Sequence, residues 1–575
     1  MASTLPKLPV FEAIAKHDPN STAVVHSLSG RRFKYGGLLG DVSRARNRLY
    51  EAAGKDDLNG ERVAFLVENS YDYVVTWLAI LAARGIAVPL SPAFPTPELQ
   101  YILDQSEASL LLSSAKFTKN AQSVLATDLV SKPTFVELPK HIASAPHEQV
   151  TLDGDEGAAG MMLYTSGTTN RPKGVLIPNS VLTAQARSLL HAWEYSPSDH
   201  LLHVLPLHHI HGTVNAIFTP LFAGSSVEFM FPFNPDAVWR RLAAPFVPGS
   251  DNKPEKVTFF TVVPQVYSRL LATHKTLPSG LQEPAREAIS PENLRLGISG
   301  SAALPAPIKK AWSLLSRGNV LLERYGMTEV GMALSCGLDP ADRVDGSVGW
   351  PLPSVEARLV DVDTGAVVLP GEECDPATGR ERAGEIQLRG PTIFREYWRN
   401  PQATAAEFVD GGDGGGKWFK TGDVAVRRPV AGAGESARPS QDWTRGQGGT
   451  MYFILGRKSA DIIKSGGEKV SALEVERELL SLPQVAEAAV VAVPSGKWGQ
   501  KVGAVVVLDP EHLAKTGGRW SPMDMRRALK PRLANYKIPQ VMRVVDHIPR
   551  NAMGKINKKL LVKAVFVDDF SGDEM

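Results

Sequence analysis

Short apolar runs alternate along this chain with longer stretches whose apolar positions recur every three or four residues. Arg62-Val63-Ala64-Phe65-Leu66-Val67 reads as a strand, and Tyr73 through Ala82 follows as a helix with little polar face. Ala87 to Leu90 and Leu110 to Leu112 continue as buried strands, and this alternation predicts α/β layering around a largely parallel sheet. Residues 257–313 repeat the logic, ending in an alanine-rich helix after Arg295-Leu296-Gly297-Ile298. From about 348 to 455 the pattern shortens to strands and turns, which predicts a β-rich subdomain. Beyond Gly456-Arg457-Lys458-Ser459 a shorter block carries its own strands, Ala488 to Val491 and Val502 to Val507. The fold class is therefore α/β, with a large N-terminal domain over 1–456 and a small α+β C-terminal domain over 457–575, roughly 120 residues and within the usual domain range.

Composition refines this picture in a few places. A chain of 575 residues exceeds what one core supports, so more than one domain is expected. Lys and Arg total 63 against 61 Asp and Glu, and so even a balance argues against a nucleic-acid partner, which needs a concentrated basic face. Cys336 and Cys374 make no disulfide framework and no Cys/His metal spacing, which fits a reducing compartment. No apolar run approaches a membrane span. The first sixteen residues resemble neither a secretory signal nor an arginine-rich transit peptide, and Asp-Glu-Met at the end is no peroxisomal address. A cytoplasmic location is expected, with the mitochondrion as the alternative, and a monomer or weak oligomer. Residues 410–416, nearly all Gly and Asp, and 430–449, rich in Ala, Gly, Ser and Pro, have compositions that pack poorly and are expected to be disordered surface loops.

The densest chemistry lies at Tyr164-Thr165-Ser166-Gly167-Thr168-Thr169-Asn170-Arg171-Pro172-Lys173-Gly174. Four hydroxyls, a turn-permitting glycine and a lysine suit a polyphosphate. Gly167 and Lys173 have Walker spacing, but Pro172 and Gly174 depart from that pattern, and the apolar flanks Met161 to Tyr164 and Val175 to Ile177 predict a hairpin instead of a strand and helix. A polar surface turn is the competing reading for this run taken alone.

This loop resembles the signature of the adenylate-forming superfamily of acyl-CoA synthetases, luciferases and peptide-synthetase adenylation domains. The commonest form of the signature has glycine where Asn170 stands, and asparagine tolerates positive φ best after glycine. The resemblance extends to Glu323-Arg324-Tyr325-Gly326-Met327-Thr328-Glu329, and implies that Tyr325 lies near the adenine, Thr328 donates to phosphate and Glu329 holds Mg²⁺. A Glu-Arg ion pair ending a helix is the bland alternative there. Ser299-Gly300-Ser301-Ala302-Ala303 resembles the segment against which the base lies, placing Ser301 and Ala302 at the nucleotide. Phe419-Lys420-Thr421-Gly422-Asp423 resembles the ribose-binding motif, with Arg457 beside it. Pro549 through Lys555 resembles the segment carrying the catalytic lysine, Lys555, on a mobile small domain. Ile463-Lys464-Ser465-Gly466-Gly467 resembles the strand that lines the coenzyme A tunnel, which gives Ser465, Gly466 and Gly467 as CoA contacts. Arg457 and Gly467 stand one residue farther apart than in luciferase-like members, with the hinge falling at Lys458 or Ser459.

For the acid, Leu205 to Gly212, Ser299 to Pro305, Glu323 to Ser335 and Gly346 to Pro353 are together similar to the malonyl-CoA synthetase family. That resemblance spans about residues 20–565 and implies ATP, CoA and malonate as substrates. His209 and Met332 then border the acyl group, and Arg269 captures the distal carboxylate, with Arg295 a weaker second candidate. A buried second carboxylate needs a cation, and a guanidinium serves best. Methylmalonate, a small monocarboxylate, or a non-catalytic nucleotide or acyl sensor are the alternatives.

Overall fold

A computed structural model describes residues 4–165, 171–249, 253–445, 449–466, 468–495, 498–515, 519–550 and 556–567. Two large sheets dominate. In the first, parallel strands Ala108–Ser114, Arg62–Leu66, Ile86–Pro89 and Gly160–Tyr164 are flanked on one side by Thr134–Leu138 and closed on the other by antiparallel Gly174–Pro178 and Glu396–Tyr397. In the second, Leu322–Met327, Leu296–Ser299, Phe259–Val262, His200–His203, Ser226–Phe229 and Thr22–His26 run parallel, with antiparallel strands at both ends. The largely parallel cores expected from the alternating pattern are present in both. Helix Tyr71–Ala82 explains why they pack: all twelve of its residues are buried, as a helix apolar on every side must be. Its Trp77 ring meets Phe218 at 5.2 Å, tying it to the segment His211–Phe218 between the sheets.

The β-rich region is an antiparallel sheet built on the long strand Lys417–Pro429, which pairs with Gly384–Arg389 and Thr450–Arg457. C-terminal to it, Ile462–Ser465, Glu468–Ser471, Val485–Ser495, Gly499–Leu508 and Val541–Val544 form a separate five-stranded sheet with its own core. The mixed α/β architecture, with one large and one small domain, is as the sequence pattern predicts.

Of the two segments expected to be disordered surface loops, 430–449 is packed where it is described, whereas 410–416 lies on the surface, tied down by hydrogen bonds and an ion pair. In 430–449, Gln441 is fully buried; its amide donates to the Ala192 carbonyl at 3.1 Å and its carbonyl accepts from the Leu338 N–H at 2.8 Å. Trp443 sits edge-on to buried Trp350 at 6.5 Å. In 410–416, Asp410 and Asp413 accept from backbone N–H groups two residues on, and Arg389 forks onto Asp413 at 2.8 and 2.9 Å. Composition alone underestimated what a few well-placed side chains can anchor.

One clamp joins the loop after strand Thr134–Leu138 to two helices. His141 lies between Asp72, 2.7 Å from its Nδ1, and Asp41, 3.6 Å from its Nε2, while Tyr71 donates to Asp41 at 2.8 Å. Burial alone would lower the imidazole pKa, but the two carboxylates outweigh it and raise the value to about 9. A raised histidine pKa stabilises the fold fully below its unfolded value near 6.5, and that contribution is lost as pH climbs through the folded value. Denaturant titrations from pH 6.5 to 9.5 are expected to show a decline of about 1–3 kcal/mol that His141→Gln removes.

Candidate active site

The hydroxyl-rich loop between Tyr164 and Gly174 does hang from a hairpin. Gly174 pairs with Tyr164, and the Thr165 N–H closes the loop on the Lys173 carbonyl at 3.1 Å. A β-carbon on Gly174 would fall 2.8 Å from the Met162 sulfur, so a larger residue where the returning strand begins would force Met162 to shift. Ser166, Gly167, Thr168 and Thr169 lie outside the described residues. The Lys173 ammonium sits 4.4 Å from the centre of the Tyr397 ring. Tyr397 in turn donates to Glu329 Oε1 at 2.8 Å, so the loop cation and the carboxylate meet on opposite parts of one side chain. Tyr397 reaches them because its two-residue strand pairs with Gly174–Pro178. Sequence reading missed this residue, which stands in a polar stretch with no periodicity.

Glu329 occupies the turn between strands Leu322–Met327 and Gly331–Ser335, next to half-buried Thr328. Burial raises its carboxyl pKa, against the pull of Tyr397, Arg457 and Lys173. On the same strand Tyr325 donates to Asp423 Oδ2 at 2.5 Å, and the Arg457 guanidinium meets Oδ1 at 3.0 Å. Asp423 and Arg457 are cross-strand partners, so the sheet register itself places this pair. Arg457 also donates to the Thr421 carbonyl at 3.0 Å. The carboxylate is thus held from both sides, Oδ2 by Tyr325 and Oδ1 by Arg457.

The acyl-site candidates separate more sharply. Arg269, in helix Pro264–His274, is exposed, with its guanidinium 4.9 Å from the Phe233 ring. Arg295 is not available as a clamp: it grips Asp199 at 2.9 and 3.0 Å and the Trp193 carbonyl at 2.9 Å, at the N-terminal end of its strand. Met332 is fully buried, its N–H bound to Gln185 at 3.0 Å. His209 is half-buried against the His208 ring at 4.0 Å. Ser301 and Ala302 are exposed just past strand Leu296–Ser299, with Ser301 at φ +66°.

Arg324 is the residue that sequence reading passed over. It does not pair with Glu323, which bonds buried Lys309 at 2.9 Å, and both acid and base lie on or near a strand, not at a helix end. Arg324 is 5% exposed, donates to His211 Nδ1, approaches Ser301 Oγ at 3.4 Å, and its Nε has no partner among the described residues. Accepting from Arg324 leaves the His211 proton on Nε2, facing the Thr261 carbonyl at 3.1 Å. Burial pulls the guanidinium pKa down to about 10, so it stays charged at neutral pH. A buried cation with no carboxylate bonded to it among the described residues is the signal, and periodicity cannot reveal it.

At the junction with the small sheet, residues 457–461 form a turn in which the Arg457 carbonyl accepts from Ala460 and Asp461. Asp461 Oδ2 accepts from the Arg457 N–H at 3.0 Å, and Lys558 bridges Asp461 and Glu476 at 2.5 and 2.7 Å. Helix Lys558–Val565 is thereby latched to the turn containing Lys458 and Ser459. Ser465 is buried, and Gly466, at φ +57°, packs so closely on Trp498 that a β-carbon would come within 2.8 Å of the ring. Gly467 and Lys555 lie outside the described residues.

Residues 11–398 match the AMP-binding enzyme family and 474–555 match the AMP-binding enzyme C-terminal domain. A CoA ligase of Gibberella moniliformis is 56% identical over 97% of this chain and 94% of its own length. The mitochondrial malonate–CoA ligase of Mus musculus is 39% identical over 89% of this chain and 82% of its own. ATP-bound MatB from Rhodopseudomonas palustris superposes with a TM-score of 0.77 at 29% identity, covering 99% of this chain and 100% of that one. The chain belongs to the AMP-binding enzyme family and is an AMP-forming acid–thiol ligase.

Proposed function

We propose that this enzyme joins malonate to coenzyme A in two steps, forming malonyl-AMP and pyrophosphate from malonate and ATP, then malonyl-CoA and AMP. The observation that carries the choice of acid is Arg324, a buried guanidinium with no carboxylate partner among the described residues. A monocarboxylate would leave that charge uncompensated, whereas the distal carboxylate of malonate offsets it. The mouse relative's name supports the same acid. Methylmalonate is the second reading, favoured by a malonyl-CoA ligase complex with methylmalonyl-CoA and AMP, 31% identical over 94% of this chain with a TM-score of 0.59.

In this reading Lys173 and the loop hydroxyls grip the pyrophosphate end, Thr328 donates to phosphate, Tyr325, Ser301 and Ala302 border the base, and Asp423 with Arg457 holds the ribose. Glu329 holds Mg²⁺: a single carboxylate fixed by Tyr397 suits an ion that keeps phosphate oxygens and waters as its other ligands. When bound, that ion neutralises phosphate charge. Residues 457–575 then rotate about the Arg457 to Asp461 turn, bringing Lys555 to the reacting phosphate in one step and Ser465, Gly466 and Gly467 to the thiol arm in the other. His209 and Met332 bound the acyl space.

AMP release measured across acetate, malonate, methylmalonate and succinate tests the assignment. A clear preference for malonate or methylmalonate is expected, and equal use of acetate would sink it. The raised Glu329 pKa adds a pH sign. Acidification protonates this carboxyl earlier than an ordinary glutamate, so the apparent Mg²⁺ affinity is expected to fall at pH values above 4.5, where exposed carboxylates are still charged. Glu329→Gln should weaken Mg²⁺ activation and flatten that dependence.

A further inference from the structure

At the end of the second sheet's strands opposite Ser301, a cavity of about 230 Å³ opens beneath the 430–449 segment. Arg295, Arg343 and Arg438 line it, together with Asn319 and several apolar or glycine positions, and no carboxylate does among the described residues. The three cations arrive from different parts of the chain. Arg295 and Asn319 stand just before strands Leu296–Ser299 and Leu322–Met327, Arg343 follows the turn Pro340–Asp342, and Arg438 comes from the 430–449 segment.

Their charges are unequally matched. Arg295 is neutralised by Asp199. Arg438 has one long contact with Glu194 at 3.4 Å, and Glu194 also accepts from Ser440. Arg343 has no carboxylate bonded to it among the described residues. It is 8% exposed, its two terminal nitrogens donate to the carbonyls of Val320 and Leu338 at 2.6 Å, and its Nε is unpartnered. Asp339 and Asp342 act on it only at longer range: Asp342 Oδ1 accepts from the Gly434 N–H at 2.8 Å while its Oδ2 has no partner among the described residues, and Asp339 accepts from the Ala341 N–H at 3.1 Å. A buried guanidinium held only by neutral carbonyls, with a second one across the cavity, is costly unless an anion joins them.

We propose that this cavity is a binding site for a phosphate group, free or as the monoester of a small molecule. Guanidinium groups converging from separate elements suit the several oxygens of a tetrahedral dianion better than the two of a carboxylate. Size bounds the ligand. The cavity has room for a phosphate group with a small organic substituent. Occupancy would fasten the 430–449 segment to the sheet through Arg438. The inference holds whichever acid the enzyme activates, because none of these side chains belongs to the adenylating site.

Calorimetric titration of the full-length protein with inorganic phosphate and, in a second arm, glycerol phosphate tests it. Phosphate can also enter the hairpin loop, so wild type, Lys173→Ala and Arg438→Glu are compared. Saturable binding that survives Lys173→Ala and weakens at least tenfold in Arg438→Glu is expected, with Arg438→Gln intermediate and thermal melting without ligand unchanged. Tighter binding of glycerol phosphate than of phosphate assigns the site to a monoester, and the reverse assigns it to the free ion. Binding lost in Lys173→Ala, binding unaltered in both Arg438 variants, or no saturable binding below about 10 mM overturns the proposal.

Discussion

Arg324→Met is expected to lower kcat/KM for malonate by about two to three orders of magnitude while acetate activation holds or improves. Removing one partner of a buried charge pair costs roughly 3–5 kcal/mol, and each 1.36 kcal/mol is about a decade in rate. Methionine keeps much of the bulk, so the loss reports charge and not a cavity. His211 would lose its donor as well, and for that reason the malonate-to-acetate ratio is the reading that matters, since a general disturbance lowers both. Arg269→Met is the companion variant. If it abolishes the preference and Arg324→Met does not, the exposed arginine is the clamp and the buried one is structural.

Lys555→Ala is expected to slow malonyl-AMP formation by about 100- to 1,000-fold, the usual consequence of removing one group aimed at developing negative charge. Thioester formation from supplied malonyl-AMP should remain near the wild-type rate, because the same lysine has left the reacting centre when the thiol attacks. Single-turnover measurements of each half-reaction separate the two. Equal losses in both would show that Lys555 acts through folding, or that residues 457–575 do not alternate.

Much of the fold is legible in the sequence because it rests on periodicity. The strands Arg62–Leu66 and Gly160–Tyr164 and the all-buried helix Tyr71–Ala82 announce themselves by runs that no other element could bury. The hairpin under the phosphate loop is legible for the same reason. Side chains that act through long-range partners are not. Tyr397 meets Glu329 only because an edge strand of two residues returns to the hairpin, and Arg324 differs from an ordinary ion-paired arginine only by what is missing around it. Arg295 shows the converse: a plausible cation by type, spent on Asp199 once the strands align. Gln441 is a polar residue in a segment of low-complexity texture, and nothing local marks it as a core anchor.

That glutamine makes the 430–449 segment a dependency. Its amide serves a carbonyl on helix Asn179–Trp193 and an N–H on the chain after strand Gly331–Ser335, two positions far apart in sequence. An engineer trimming this stretch as dispensable loop would strip both groups of their partner at once. Each buried orphan costs about 1–3 kcal/mol, a large share of the margin by which most domains stay folded. A stretch of low-complexity texture is in this way irremovable, and a shortened chain would need new partners for Ala192 and Leu338 before it could be viable.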